Sequence, residues 1–203
     1  MDYKKQKEIF DREAPLWDIK DKGDNTQNIK RVISMSQIKQ GMKVLDVGCG
    51  TGIMEKELAL AVGDKGLVKA IDISTGMLNV AKEKFSAYKN IVFEEQNIEF
   101  ITEEKESYDA VICNNVFPHF VHPDKVAENC FRLLKSGGVF TVSHLKGRAF
   151  VNNIHRDTEN FQEDRVPVPS KWVSLFEKHG FTEKISIDEN DFYIIINLKS
   201  PKF

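Results

Sequence analysis

The sequence predicts an α/β domain built on a doubly wound, seven-stranded sheet, parallel except for a C-terminal antiparallel hairpin. Three observations carry that expectation. Short apolar runs alternate with stretches of helical period from residue 25 onward. The run Val44 to Val47 (VLDV) opens directly into GCGTG, with Gly48, Gly50 and Gly52 at alternate positions. The last two apolar runs, FTEKISID and DFYIIINLK, are separated only by Glu189 and Asn190. Alternation of this kind means parallel strands joined by crossover helices on both faces. A gap of two residues cannot hold a crossover helix, so the final runs pair as a hairpin.

Each element has its own signal. In the N-terminal stretch, Tyr3, Phe10 and Trp17 recur every seventh residue on one helical stripe, and Pro15 is placed to break the helix before Trp17. Residues 25–39 bring Ile29, Val32, Ile33 and Ser36 to one face, and Gly41 ends that helix before MKVLDVG begins a strand. IMEKELALAV reads as a helix stopped at Gly63, and GLVKAIDI as a buried strand. Ser74 caps a helix with Met77, Leu78, Ala81 and Phe85 on its apolar face, and NIVFEEQ follows as the third strand. Tyr108 to Cys113 gives a fourth strand, Pro123 to Leu134 a helix, and Gly138 to Leu145 a fifth strand. SKWVSLFEKHG is a helix capped by Ser170 and stopped by Gly180.

A chain of 203 residues with 41% hydrophobic content fits one well-buried domain, so 1–203 is expected to be a single unit. Lys plus Arg number 29 against 31 Asp plus Glu, a net charge of −2, which provides no field to draw a nucleic-acid backbone. Cys49, Cys113 and Cys130 are odd in number and never arranged as CxxC, which suggests reduced thiols and a cytoplasmic protein rather than disulfides or a thiolate metal site. No apolar run approaches the roughly 20 residues of a membrane span.

The glycine loop marks the carboxyl end of the first strand, where open α/β sheets bind ligands. A dinucleotide fingerprint would need a third glycine where Ile53 stands, and a Walker loop would need Gly-Lys-Ser or Gly-Lys-Thr. Asp72, about 20 residues further on at the end of the second strand, is placed to accept both hydroxyls of an adenosine ribose. A tight strand-to-helix turn is the plain alternative for the glycines. VLDVGCGTG, then AIDIS, YDAVICNNVFPHF and RLLKSGGVFTVSHL resemble, in order, the motifs of class I S-adenosylmethionine-dependent methyltransferases. FDREAPLWD is similar to the N-terminal helix of the quinone-methyltransferase-like branch, so the likeness runs from about residue 10 to the C-terminus.

That resemblance implies the Rossmann-like methyltransferase fold, S-adenosylmethionine as cofactor, and a small-molecule methyl acceptor. It implies a cofactor-binding set of Asp46, Gly48, Cys49, Gly50, Gly52, Asp72, Ile73, Met77, Asn97, Ile98 and Asn114. In it Asp46 orients the methionine end, Ile73 and Met77 pack on adenine, Asn97 meets its amino group, and the backbone of Asn114 meets the methionine amino group. Many family members carry Asp where this chain has Asn97. For the side chains of Asn114 and Asn115, turn chemistry is the preferred reading.

Methyl transfer from a sulfonium is an in-line displacement, so alignment in a dry pocket matters first, and a base is needed only if the acceptor carries a proton. The expected pocket combines the ends of strands four and five, an acceptor-side insertion at 146–169, and residues 1–24 as a lid, mobile when empty. Deleting 1–18 is expected to spare cofactor binding. His144, His155, His119 and Arg148 are the catalytic candidates. Arg148, Asn152 and His155 step by four and three and share a helical face, which is either the acceptor-facing one or a solvated or core-satisfied one. His119, in a PHF stretch similar to the family's hydrophobic-His-His turn, has a structural role as its plainer reading. Two imidazoles, His144 and His155, permit a metal site to which Asp157, Cys113 or a substrate thiol could contribute, but no nearby carboxylate or cysteine completes a persuasive set, and no metal is expected. A monomer or homodimer is expected, with no nucleic acid and no membrane span. The competing readings are a non-catalytic cofactor-binding module or partner subunit, and a nicotinamide dehydrogenase, which the glycine spacing and terminal hairpin disfavour.

Overall fold

The computed structural model describes residues 2–20 and 23–200; Met1, Asp21, Lys22 and 201–203, which fall in the expected 1–24 and 1–203 segments, lie outside the described residues. Strands β1 (Lys43–Val47), β2 (Leu67–Asp72), β3 (Ile91–Glu95), β4 (Tyr108–Asn114), β5 (Leu134–His144), β6 (Phe181–Asp188) and β7 (Tyr193–Lys199) form one sheet in the order 3-2-1-4-5-7-6. The first five run parallel, and β7 pairs antiparallel with both β5 and β6, as the two-residue gap requires. The order reverses between β1 and β4, which places the ligand crevice at their carboxyl ends.

The helices are α1 (Tyr3–Glu13), α2 (Trp17–Lys20), α3 (Thr26–Met35), α4 (Glu55–Val62), α5 (Thr75–Lys84), α6 (Pro123–Leu133), α7 (Arg148–Asp157) and α8 (Pro169–Lys178). The pleat of β1 divides the core: Val44 joins the cluster with Val32 of α3 and Leu58 of α4, whereas Leu45 and Val47 join Val126 of α6 and Phe176 of α8 on the other face. Burial of these two apolar clusters, rather than helix propensity, holds the short helices in place.

Several boundaries differ from the sequence expectation: α3 ends at Met35, so Gly41 does not close it, and α4 starts at Glu55 rather than Ile53. Strand β5 begins at Leu134, not Gly138, because Leu134 is fully buried and pairs with Tyr108 ahead of an irregularity, and Gly137 takes the left-handed backbone (φ +75°) that the irregularity needs. Helix α8 begins at Pro169, a residue suited to the first helical position, so Ser170 lies inside the helix rather than capping it. Pro15 does end α1: Ala14–Leu16 tighten into a 3₁₀ turn before α2.

Candidate active site

One cleft of about 820 Å³ runs across the carboxyl ends of the strands, a volume suited to a nucleotide-sized ligand together with a second small molecule. Val47, Gly48, Cys49, Gly50 and Thr51 form one wall, Asp72, Ile73 and Met77 the next, and Asn97 and Ile98 close that end. Asp72 is the fixed point. Its Oδ2 accepts from the Gly50 amide at 2.9 Å and its Oδ1 from the Ser74 amide at 2.8 Å. Burial raises its carboxyl above the ordinary range, and the amide hydrogen bonds oppose that rise. Each oxygen keeps a lone pair for a ligand hydroxyl.

The glycines do different work. Gly48 has φ +72°, and a Cβ there would come within 2.3 Å of the Val116 side chain, so the loop must pass close to the turn after β4. Gly50, at φ +56°, faces open space. Its backbone is therefore what the cleft presents to a ligand.

Asp46 and Gly52 do not line the cleft. The pleat turns Asp46 to the α4 side, where it lies fully buried with Glu55, itself 0% exposed. Burial pushes both acids upward, and the proximity of the two carboxyls raises Glu55 further. Asn97 commits its Oδ1 to the Glu99 amide at 2.8 Å, capping a 3₁₀ turn. Asn114 accepts from Ser143 Oγ at 2.9 Å, and its Nδ2 is buried without a partner. Asn115, at φ +55°, accepts from the Leu145 amide at 3.1 Å, which is turn chemistry.

The N-terminal stripe splits. Phe10 meets Trp17 edge-on at 5.8 Å, while Tyr3 turns to Phe100 at 5.3 Å and gives its hydroxyl to buried Glu99. The segment also grips the glycine-loop side: Asp11 Oδ1 accepts from Ser74 Oγ at 2.6 Å and from the Gly76 amide at 2.8 Å, and Asp18 accepts from Thr51 Oγ1 at 2.5 Å. Residues 2–18 therefore touch both halves of the cleft, not the acceptor half alone.

Across the cleft, the structure brings His119, His144 and His155 to one wall. His144, at the end of β5, is 1% exposed and its Nε2 has no partner. Burial first, then the neighbouring His119 and His155, depress it to about 3. Its surroundings therefore favour the neutral ring. His119 Nδ1 lies 2.6 Å from Asp164 Oδ2, and His155 Nδ1 lies 2.7 Å from the Asp164 carbonyl oxygen. Arg148 points away, pairing with Asp188 at 2.7 Å, and is absent from the cleft wall. Asn152 clamps the returning chain instead of facing a ligand, donating to the Val166 carbonyl at 2.9 Å and accepting from its amide at 2.8 Å. The shared face of Arg148, Asn152 and His155 is thus divided among three jobs. Among the described residues, no three His, Cys, Asp or Glu side chains are placed to hold a metal ion.

Sequence reasoning missed Glu55, Asp164, Asp11 and Asp18. Glu55 had a signal: it lies three and seven residues before Leu58 and Val62, on the buried face of α4. Asp164, in a loop of no period, had none.

A family model described as "Methyltransferase domain" matches residues 38–192. This chain belongs to the methyltransferase domain family. Curated relatives include a ubiquinone biosynthesis O-methyltransferase of Paracidovorax citrulli, 37% identical over 118 residues, 55% of this chain and 48% of that protein. Another is the ubiquinone/menaquinone biosynthesis C-methyltransferase UbiE of Wigglesworthia glossinidia brevipalpis, 31% identical over 99 residues, 47% of this chain and 40% of that one. This chain thus spans about half the length, or less, of the curated relatives it matches. The crystal structure of a SAM dependent methyltransferase from Aquifex aeolicus shares the fold, with a TM-score of 0.72 and 23% identity over 87% of this chain and 99% of that one.

S-adenosylmethionine is the cofactor this domain implies, and the residues of the cleft fit it. The half-buried carboxylate of Asp72 lines the cleft with lone pairs a ribose could use, Gly50 leaves its Cβ side open, and Ile73, Met77 and Ile98 offer apolar surface that would suit adenine. No helix among the described residues is long and apolar enough to cross a membrane.

Proposed function

We propose that this methyltransferase domain transfers a methyl group from S-adenosylmethionine to a small apolar molecule. The observation that carries the reading is Asp72, a half-buried carboxylate held by the Gly50 and Ser74 amides beside a loop whose open face is bare backbone. Asp72 would hold the ribose, Ile73 and Met77 the adenine, and the Gly48 to Thr51 wall with the turn after β4 the methionine end. The bound cofactor supplies an electrophilic methyl on a sulfonium. The chain supplies alignment and a dry site, because in-line displacement gains most from holding the reactants at attack distance.

The acceptor half supports an apolar substrate. Phe10, Phe120, Leu145, Val151, Ile154 and Phe161 line it, and Phe150 and Ile154 stay about half exposed at its mouth (51% and 49%). Relatives named for O- and C-methylation in quinone biosynthesis are consistent with that class. The 1–24 segment acts as lid and 146–169 as the acceptor-side wall, in a monomer or homodimer without nucleic acid. The three buried, unpaired thiols suit a cytoplasmic setting.

Incubation with methyl-labelled S-adenosylmethionine and a panel of phenols, thiols and amines tests the reading. Demethylated cofactor formed with an apolar acceptor supports it. A protein that shows no binding and no turnover would overturn it.

A further inference from the structure

We propose that Asp164 positions His119 as the base that takes the proton of a hydroxyl on the methyl acceptor. The inference rests on the methyl-transfer reading and narrows it to acceptors whose reacting atom must lose a proton, a phenol-type hydroxyl on an apolar body first of all.

The geometry of one residue carries it. Asp164 holds two imidazoles at once, His119 Nδ1 through its carboxylate at 2.6 Å and His155 Nδ1 through its backbone carbonyl at 2.7 Å. An acceptor oxygen at Nδ1 fixes the proton there, so each neutral ring presents Nε2 as a lone pair. The rings lie 4.9 Å apart, and both line the cleft. Among the described residues no hydrogen-bond partner occupies Nε2 of His119. Around it stand Phe161 at 4.9 Å and Phe10 at 6.0 Å, which stack on each other at 5.6 Å and supply an apolar wall for a planar acceptor. The cage is fixed from behind: Gln6 donates to the His119 carbonyl, and the Asn152 clamp on Val166 anchors the chain that carries Asp164.

The alternatives in the wall are weaker. His144 is 1% exposed with its Nε2 buried and unpartnered, and only His119 has a carboxylate behind it to receive the charge that proton uptake creates. A base so oriented by a carboxylate keeps the correct tautomer and stabilises the imidazolium.

The step balances as follows. The acceptor O–H proton passes to His119 Nε2, and the electron pair left on oxygen forms the bond to the methyl carbon. The carbon–sulfur pair stays on sulfur, neutralising the sulfonium, and the imidazolium, facing Asp164, returns its proton to solvent. His119 is the catalytic residue and Asp164 a positioning residue.

The decisive experiment is long-range ¹H–¹⁵N NMR of histidine-labelled protein at high pH, native and Asp164→Asn. Native His119 and His155 should both carry the proton on Nδ1. In D164N, His119 should shift toward the Nε2–H form, because an amide at that place can donate to Nδ1. His155 should not change, since its partner is the backbone carbonyl of residue 164. On a phenolic acceptor, D164N should lose about 10-fold or more in kcat, with the KM for S-adenosylmethionine and the melting temperature unchanged. An Nε2–H form of His119 in the native protein, or the same tautomer in both, overturns the proposal, as does an unaltered kcat. The NMR comparison decides without an acceptor in hand. A protein that fails to bind S-adenosylmethionine in calorimetry would instead overturn the reading on which the proposal rests.

Discussion

On one side of the cleft, Asp72 is held by two backbone amides, Gly50 and Ser74, within one strand–turn–helix unit and its neighbour. On the other, His119 is held by a side chain 45 residues away, on a loop that is itself held by Asn152. The first half is a property of the backbone and tolerates changes in most side chains around it. The second is assembled from side chains of three separate segments and can be taken apart one residue at a time. The difference teaches that cofactor binding and acceptor chemistry in this domain should be separable by mutation.

The largest effect should come from breaking the backbone half. Gly48→Ala puts a Cβ at φ +72° and within 2.3 Å of Val116, so we expect a loss of several kcal/mol in stability. Denaturant melts should show it, with cofactor binding lost in any protein that still folds. A variant as stable as the native protein would mean that the loop is not held against the turn after β4.

A smaller effect tests where the halves meet. Asp11→Ala removes the acceptor of the Ser74 hydroxyl and Gly76 amide bonds, and should cost about 1 kcal/mol in stability. It should also weaken S-adenosylmethionine binding several-fold in calorimetry, because α1 closes beside Ile73. Unchanged affinity would restore the simpler picture of a lid over the acceptor alone.

The smallest effects are in pH dependence, and the two halves should respond with opposite sign. Asp46 is raised from its ordinary 3.8 to about 6, so the folded state favours its proton, and native stability falls as pH rises through that window. Asp46→Asn should therefore gain more in melting temperature, relative to native, at pH 7.5 than at pH 5. His144 is depressed from 6.5 to about 3, so the stability of its neutral form is complete above 6.5 and is lost as pH falls toward 3. His144→Asn should lose less than native over that acid range. Thermal melts that move together in both variants would show that the two buried groups do not set these slopes.

The same division explains what the sequence made legible. The sheet, its hairpin, the glycine loop and Asp72 followed from spacing, because local backbone geometry and period set them. Asp46 was expected at the ligand and lies below the loop, since the pleat of β1 decides its side and Glu55 meets it there. The acceptor wall was legible only as a set of histidines. Nothing in EDRVPVP distinguishes Asp164 from its neighbours Glu163 and Arg165, because its role depends on where the loop returns across α7. Arg148 shared a helical face with His155 but found Asp188 on β6, a partner no local pattern announces.

Calorimetry with S-adenosylmethionine on three proteins, native, Asp72→Ala and Asn152→Ala, tests the central claim most directly. We expect binding by the native chain, a loss of about 1–3 kcal/mol in Asp72→Ala, and native affinity in Asn152→Ala, whose acceptor wall is loosened. Equal affinity in native and Asp72→Ala would contradict the assignment of the cofactor half. An equal loss in both variants would contradict the division of the cleft.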